Sequence, residues 1–167
     1  GGFGHTLCAA WESAALEARH FGARTALLRT GLVIGSGGGF LKPMARSFRL
    51  GLGGPIGDGQ QWMSWIHIDD HIRLMRHLLD QDHAEGIYNL TAPQPVTNAL
   101  FTKTLAQVLH RPAFLRMPAK LLKILLGEMS DLLLESQRVI PERAINENFS
   151  FSYGELEPAL KNALRGS

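Results

Sequence analysis

The most informative stretch of the sequence reads GLGGPIGDGQQWMSWIHIDD and runs from Gly51 to Asp70. It opens with a loop of five glycines in nine residues, whose backbone can approach a ligand or another segment closely. A run rich in aromatic and β-branched residues follows, from Trp62 to Ile68, and its alternation predicts a β-strand. Asp69 and Asp70 then open a helical pattern, and either carboxylate is placed to cap that helix.

Helical and strand patterns alternate on both sides of this stretch. Apolar spacing predicts helices over residues 6–21, 40–50 and 70–80 and strands over residues 25–34, 62–68 and 87–90. The segment 25–34 is almost continuously apolar, which is typical of a buried parallel strand. Alternating helices and strands predict an α/β fold built on a parallel sheet.

The composition of the sequence changes near residue 91, where a linker-like segment rich in proline begins. Beyond it, helices are predicted over residues 98–109, 118–126 and 155–165, with Asn98 as the cap of the first. The alternation from Phe149 to Tyr153 predicts an edge strand. The second part of the chain is therefore predicted to be a small, mainly helical α+β subdomain.

Composition narrows the class of protein. With 167 residues, of which 45% are apolar, the chain can form one domain with a packed core. The net charge of +2, without a run of Lys or Arg, disfavours a nucleic-acid partner, and no uninterrupted apolar stretch is long enough to predict a membrane span. Cys8 is the single cysteine, which excludes an intrachain disulfide and favours a reducing, cytoplasmic location.

The central stretch also carries a resemblance to a known family. From Gly57 it matches the pattern GxGxQxxSWIHxDD, and further similarity covers residues 26–35, 86–98, 111–112, 126–128 and 137–141. The chain resembles the C-terminal part of an extended short-chain dehydrogenase/reductase. More narrowly, it resembles the nucleotide-sugar-epimerase-like (NAD-dependent epimerase/dehydratase) subfamily, whose members are sometimes labelled cell division inhibitors.

The resemblance implies a domain organisation. Residues 1–90 would form the last strands and helices of an incomplete NAD(P)-binding Rossmann-like domain, and residues 91–167 the C-terminal substrate-side subdomain. In this family the glycine fingerprint of the dinucleotide site lies earlier in the chain than the segments matched here. The parent protein is expected to use NADP or NAD, whereas this chain alone is expected to bind neither tightly.

Two features of such an enzyme are absent from these residues. The loop from Gly35 to Phe40 follows a strand and opens a helix, but Phe40 stands where the fingerprint needs glycine or alanine. A glycine hinge is the alternative interpretation of that loop. In the family alignment Glu12 matches the acid after the catalytic lysine, which puts Cys8 at the lysine position and Gly4 at the tyrosine position. The Tyr-Lys pair is therefore missing, and the catalytic residues are unknown.

The resemblance also implies site residues. Those expected against the nicotinamide are Arg29, Thr30, Gly31 and Leu32, although Arg29 is equally suited to a structural ion pair. Those expected beside a substrate are Gln60, Gln61, Trp62, Trp65 and His67. For Trp65, stacking on a sugar or base competes with a place in the core.

The remaining candidates are weaker. His67 and His71 are four residues apart, but this spacing suits a metal only if both are helical and a third ligand exists. A structural histidine or a helix cap is the favoured interpretation, and no metal is expected. Lys42 is suited to meet a phosphate near a helix N-terminus or to remain solvated.

Two functions follow as expectations. The first is the C-terminal part of an NAD(P)-dependent nucleotide-sugar epimerase or oxidoreductase, inactive alone, with a small-molecule substrate. The second is a non-catalytic binding or assembly module, related to cell division. In either case an uncovered apolar sheet face predicts a homo-oligomer.

Overall fold

The computed structural model describes residues 3–115 and 136–165. The helices in these ranges are α1 (Phe3–Glu17), α2 (Leu41–Arg49), α3 (Ile68–Asp80), α4 (Asn98–Leu109), α5 (Glu142–Asn146) and α6 (Leu156–Leu164), with a 3₁₀ turn over Ala18–Phe21. The strands are β1 (Ala26–Thr30), β2 (Leu32–Ile34), β3 (Trp62–Met63), β4 (Trp65–His67), β5 (Gly86–Leu90) and β6 (Val96–Thr97). The helix predicted over residues 118–126 lies outside the described residues.

Parallel pairing organises the first half, as the sequence predicts. β1 pairs with β5 along its whole length, and β2 pairs with β4. The continuous strand predicted over residues 25–34 is instead two strands with different partners. At the junction the Gly31 amide donates to the Leu90 carbonyl at 3.1 Å, and the Leu32 amide donates to the Ser64 carbonyl at 2.8 Å.

The strand predicted over residues 62–68 is also divided, at Ser64. Its first part, β3, pairs antiparallel with β6, while its second part, β4, pairs with β2. All three residues of β4 are buried, because this strand is covered on both faces. The alternation in the sequence therefore does not correspond to one buried and one solvent-facing side.

Two apolar clusters form the core. The larger one joins α2, β4, α4 and α6, and includes Phe48, Trp65, Phe101 and Leu160. This cluster contains residues from both sides of the subdomain boundary that was predicted near residue 91. The boundary itself stays a prediction. The smaller cluster packs Leu74 and other side chains of α3 against β4 and β5.

Two predicted helix caps were wrong. The Nδ1 atom of His67 caps α3 by accepting the Asp69 amide at 3.2 Å, and the hydroxyl of Thr97 caps α4 by accepting the Leu100 amide at 3.3 Å. The expected caps were Asp69 or Asp70 for α3 and Asn98 for α4. Asp70 and Asn98 are buried and accept hydrogen bonds from more distant segments. Backbone amides of segments that are distant in sequence occupy these carboxylate and amide oxygens, so the oxygens do not cap their own helices.

The edge strand predicted over residues 149–153 was also wrong. The Asp70 carboxylate accepts the amides of Ser152 and Tyr153 at 2.9 and 2.7 Å, so these amides are not in a strand ladder. Arg73 completes this network, since its guanidinium donates to Asp70, to Ser152 and to the carbonyl of Ser150. The segment is held by side chains that lie about eighty positions earlier in the chain.

The other helices agree with the predictions to within a few residues. α1, α2, α4 and α6 occupy the segments in which helical spacing was found. Among the residues that the structure describes, no helix has the length and apolar character needed to cross a membrane.

Candidate functional site

A cleft of about 690 Å³ opens at the carboxyl ends of β1 and β5. Its floor is the junction between β1 and β2, and its roof is the segment 137–140. The floor residues are Arg29, Thr30, Gly31 and Leu32. All four residues expected against a nicotinamide therefore lie together at one cleft.

The roof is attached to the sheet by side chains. The Ser64 hydroxyl donates to the Gln137 carbonyl at 2.7 Å and accepts the Val139 amide at 2.9 Å. The Asn89 amide group donates to the Ile140 carbonyl at 3.3 Å. These contacts fix the roof at a set height above the floor.

Gly31 is required at the floor by close packing. A Cβ atom at this position would lie 2.4 Å from the Ser64 carbonyl oxygen and 2.9 Å from the Thr91 methyl group. Both distances are shorter than van der Waals contact, so any side chain would push the floor away from β3 or β5. The glycine thus allows the floor to pack directly against Ser64 and Thr91.

Arg29 forms the ion pair that was one of its two predicted roles. Its Nε and Nη2 atoms each donate to a Glu12 carboxylate oxygen at 2.7 Å, which ties β1 to α1. The Glu12 carboxylate raises the pKa of Arg29 through this hydrogen bond. Arg29 also lines the cleft, and its other predicted role, contact with a ligand, stays a prediction.

Arg138 brings a second positive charge to the cleft. Its guanidinium carbon lies 5.2 Å from the centroid of the Trp62 ring, within the range of a cation–π contact. Within residues 3–115 and 136–165, Arg138 has no carboxylate partner. An exposed guanidinium without a counter-ion is suited to an anionic ligand group.

The five residues predicted beside a substrate do not stay together. Trp62 lines the cleft, whereas Gln60 and Gln61 lie outside its lining. The Gln61 side chain donates to the Ile56 carbonyl at 3.2 Å within its own loop. Trp65 is 0% exposed and His67 is 1% exposed, so neither presents a face to the cleft.

The two histidines have structural contacts. His67 stacks on Tyr153 with ring centroids 3.9 Å apart, and the Nε2 atom of His71 lies 3.1 Å from the Thr30 hydroxyl. Burial lowers the pKa of both His67 and His71, which favours their neutral forms. In the part of the chain that the structure describes, no group of three His, Cys, Asp or Glu residues is placed to hold a metal ion.

Comparison with known proteins identifies the family. The sequence model of the NAD dependent epimerase/dehydratase family matches residues 5–91, slightly more than half of the chain. The chain belongs to this family. A second sequence model, a domain of unknown function (DUF1731), matches residues 117–163.

Curated members of the epimerase family are similar over nearly the whole chain. "Epimerase family protein SERP0438" of Staphylococcus epidermidis is 41% identical over 155 residues, which is 93% of this chain and 52% of that protein. "Epimerase family protein SDR39U1" of Mus musculus is 39% identical over 163 residues, 97% of this chain and 55% of that protein. The chain thus spans about half the length of these relatives.

Solved structures of epimerase proteins share the fold. One is the crystal structure of human epimerase family protein SDR39U1 with NADPH, which shares 41% sequence identity with this chain and has a TM-score of 0.78. The aligned region covers 84% of this chain and 48% of the human chain. Another is the crystal structure of the nucleoside-diphosphate sugar epimerase from Corynebacterium glutamicum, with 31% sequence identity and a TM-score of 0.79. Here the aligned region covers 98% of this chain and 31% of the Corynebacterium chain. The predicted Rossmann-like α/β fold is confirmed by these matches.

Several residues of the epimerase-family cleft were not predicted. Asn89 and Thr91 lie at the carboxyl end of β5, and the general rule that ligands bind at such ends of parallel strands would have found them. Arg138 lies within the family-like segment 137–141, which could have pointed to it, whereas Glu142 lies outside the matched segments and had no signal in the sequence.

We expect Gly31→Ala to lower the free energy of unfolding by about 1–3 kcal/mol, as overpacked cores do. The added methyl group would meet the Ser64 carbonyl and the Thr91 side chain. Urea denaturation followed by circular dichroism measures the change. Gly37→Ala is the matched control, since a Cβ there meets nothing within 4 Å, and its effect should stay within about 0.5 kcal/mol. Equal effects of the two substitutions would contradict the close-packing argument.

Proposed function

We propose that this chain supplies the substrate side of an NADP(H)-dependent oxidoreductase of the epimerase family, acting on a nucleotide sugar. The observation that carries the proposal is the meeting of Arg29, Thr30, Gly31 and Leu32 in one cleft at the ends of parallel strands. Ligands of open α/β folds bind at such ends. The human relative, whose crystal structure contains NADPH, supports the choice of cofactor.

The residues of the cleft suit the nicotinamide end of a dinucleotide. Because Gly31 has no side chain, the Ser64 carbonyl and the Thr91 methyl group pack directly against the β1–β2 junction and hold the floor of the cleft in place. When bound, the dinucleotide supplies hydride transfer, and the residues of this chain position the reacting partner against it. The Asn89 amide group and the segment 137–140 close the cleft opposite the floor.

The proposed substrate contacts centre on Trp62 and Arg138. The indole of Trp62 lies within cation–π distance of the Arg138 guanidinium and gives the cleft an aromatic side. We assign Arg138 to an anionic part of the substrate, such as the phosphates of a nucleotide sugar. Gln60 and Gln61 then shape the neighbouring loop, and Trp65 and His67 support β4 from within the core.

Catalysis itself is proposed to need groups from outside these 167 residues. Neither Tyr88 nor Tyr153 has a lysine four positions later, and no glycine fingerprint of the expected form is present. We therefore propose that the chain alone is inactive and acts as the C-terminal part of a longer enzyme.

The test is a titration of the 167-residue chain with NADPH, followed by nucleotide fluorescence and by calorimetry. We expect no saturable binding by this chain, while human SDR39U1, run beside it, binds NADPH under the same conditions. Tight binding by the chain would overturn the proposal. It would identify the loop between Gly35 and Phe40 as a dinucleotide site.

A second candidate function is a non-catalytic assembly module. Large apolar side chains are exposed near α1 and β1, including Trp11 at 65% and Phe21 at 90% exposure. Exposed apolar patches commonly mark protein–protein contacts. Sedimentation velocity distinguishes the candidates: self-association that disappears in Trp11→Ser favours assembly through this surface, whereas a monomer at all concentrations favours the first candidate.

A further inference from the structure

We propose that a second concavity, separate from the cleft, binds a phosphate group. This α2–α6 pocket lies between α2, the loop that precedes it and the end of α6, and it encloses about 360 Å³. Its polar lining residues are Ser36, Lys42, Arg46 and Arg49. None of the residues that line it also lines the cleft at the β1–β2 junction.

Every charged side chain among the described residues that line the α2–α6 pocket is positive. Lys42, Arg46 and Arg49 are spaced so that they share one side of α2. No acidic residue occurs between Glu17 and Asp58, so neither α2 nor the loops beside it bring a carboxylate. Among the residues that the structure describes, three cations therefore line one concavity and no acid lines it.

Lys42 and Arg46 are also without acidic partners elsewhere. Across residues 3–115 and 136–165, neither side chain forms an ion pair or a side-chain hydrogen bond. Like charges brought together repel one another, and an anion between them relieves this repulsion. Both side chains are exposed at the rim, so a ligand can reach them from solvent.

The floor of the pocket is apolar and buried. Leu41 and Ala45 of α2 and Ala163 of α6 are almost completely covered. Low-dielectric walls below a group of cations concentrate the field toward the opening of a concavity. The arrangement therefore favours an anion held inside the pocket over one passing across an open surface.

The chemistry of the donors points to phosphate. Guanidinium groups bind phosphate oxygens in a bidentate manner, a lysine ammonium adds a point charge, and the Ser36 hydroxyl adds a neutral donor. The volume is at the small end of the range for ligand sites, which runs from about 300 to 1,000 Å³. A single phosphate or a small phosphate ester fits this size, whereas a whole dinucleotide does not.

A purely structural explanation makes a different prediction. Ala163 and Leu164 lie at the C-terminal end of α6, where helix carbonyls carry partial negative charge. If Lys42 and Arg46 serve only to neutralise these carbonyls, their removal should weaken the fold and should not change phosphate binding.

The experiment is a calorimetric titration with inorganic phosphate in a chloride buffer of low ionic strength. We expect saturable binding at one site, weakened about tenfold or more in Lys42→Gln and in Arg46→Gln. Lys103→Gln is the matched control, since it removes the same charge from α4 outside the pocket, and its affinity should stay within about twofold of wild type. Glucose 1-phosphate is titrated in parallel: tighter binding than inorganic phosphate identifies a phosphate ester as the ligand, and equal binding identifies free phosphate.

Three results would overturn the proposal. The first is the absence of saturable heat with wild type, and the second is equal weakening by Lys42→Gln and Lys103→Gln. The third is a loss of stability in both pocket variants with phosphate affinity unchanged, which would assign the cations to α6. If a glutamine variant does not fold, Arg46→Lys and the phosphate dependence of wild-type unfolding decide, because a ligand of the native state alone must raise the unfolding free energy.

Discussion

Replacing Asp70 with alanine is expected to lower the free energy of unfolding by about 2–4 kcal/mol, because two backbone amides lose their acceptor at about 1–3 kcal/mol each. Asp70 is 0% exposed. Its Oδ1 atom accepts the Ser152 amide at 2.9 Å and pairs with Arg73 at 2.7 Å, and its Oδ2 atom accepts the Tyr153 amide at 2.7 Å. Removal leaves two amides without their acceptor and deprives the Arg73 guanidinium of its carboxylate partner, although the Ser152 hydroxyl and the Ser150 carbonyl still accept from it.

The consequence should extend beyond the site of substitution. The Asp70 contacts attach the segment before α6 to α3, and α6 in turn covers the larger apolar cluster. When the segment is released, the contacts between α6 and α4 lose support. We therefore expect earlier hydrogen exchange in α6 as well as the lower global stability.

Asp69→Ala provides the control for this prediction. It makes the same chemical change one residue earlier, at a side chain that is 56% exposed. Its cost should stay below about 1 kcal/mol, the usual limit for a charge near a helix N-terminus. Urea denaturation of the two variants measures the difference. Equal costs would show that burial and amide pairing at Asp70 do not stabilise the fold as argued.

Trp65→Ala is expected to cost about 3–5 kcal/mol, the range for deleting a large buried aromatic side chain. Trp65 belongs to the cluster that also contains Phe101 and Leu160, and its indole is 0% exposed. The indole nitrogen donates to the Gln94 carbonyl at 3.1 Å. The substitution removes both the packing and this hydrogen bond.

Trp11→Ala is the matched control, because the same atoms are removed from a side chain that is 65% exposed. We expect a change within about 0.5 kcal/mol. Denaturation is followed by circular dichroism at 222 nm, since each variant also loses a fluorophore. If Trp65→Ala were no more costly than Trp11→Ala, Trp65 would be available to stack on a ligand, as the resemblance suggested.

Local sequence patterns determined much of this protein. Apolar spacing located α1, α2, α4 and α6, and the apolar run at residues 25–34 predicted the parallel pairing, although most of β1 is exposed and not buried as expected. Arg29 to Leu32 were expected at a site because of the family resemblance, and they lie together in the candidate cleft at the end of a parallel strand. The helices and the paired strands depend on residues close together in the chain, so periodicity suffices to find them, whereas the cleft residues needed the family resemblance.

Tertiary structure alone decided the partners. The divisions at Gly31 and Ser64, the inward turn of Asp70 and the contact of Arg138 with Trp62 each depend on segments far apart in sequence. Trp65 had the same alternation whether it faced a ligand or the core, and its burial followed only when helices covered both faces of β4. Periodicity reports that a residue is suited to a covered face, but the element that covers it is set by packing of the whole chain.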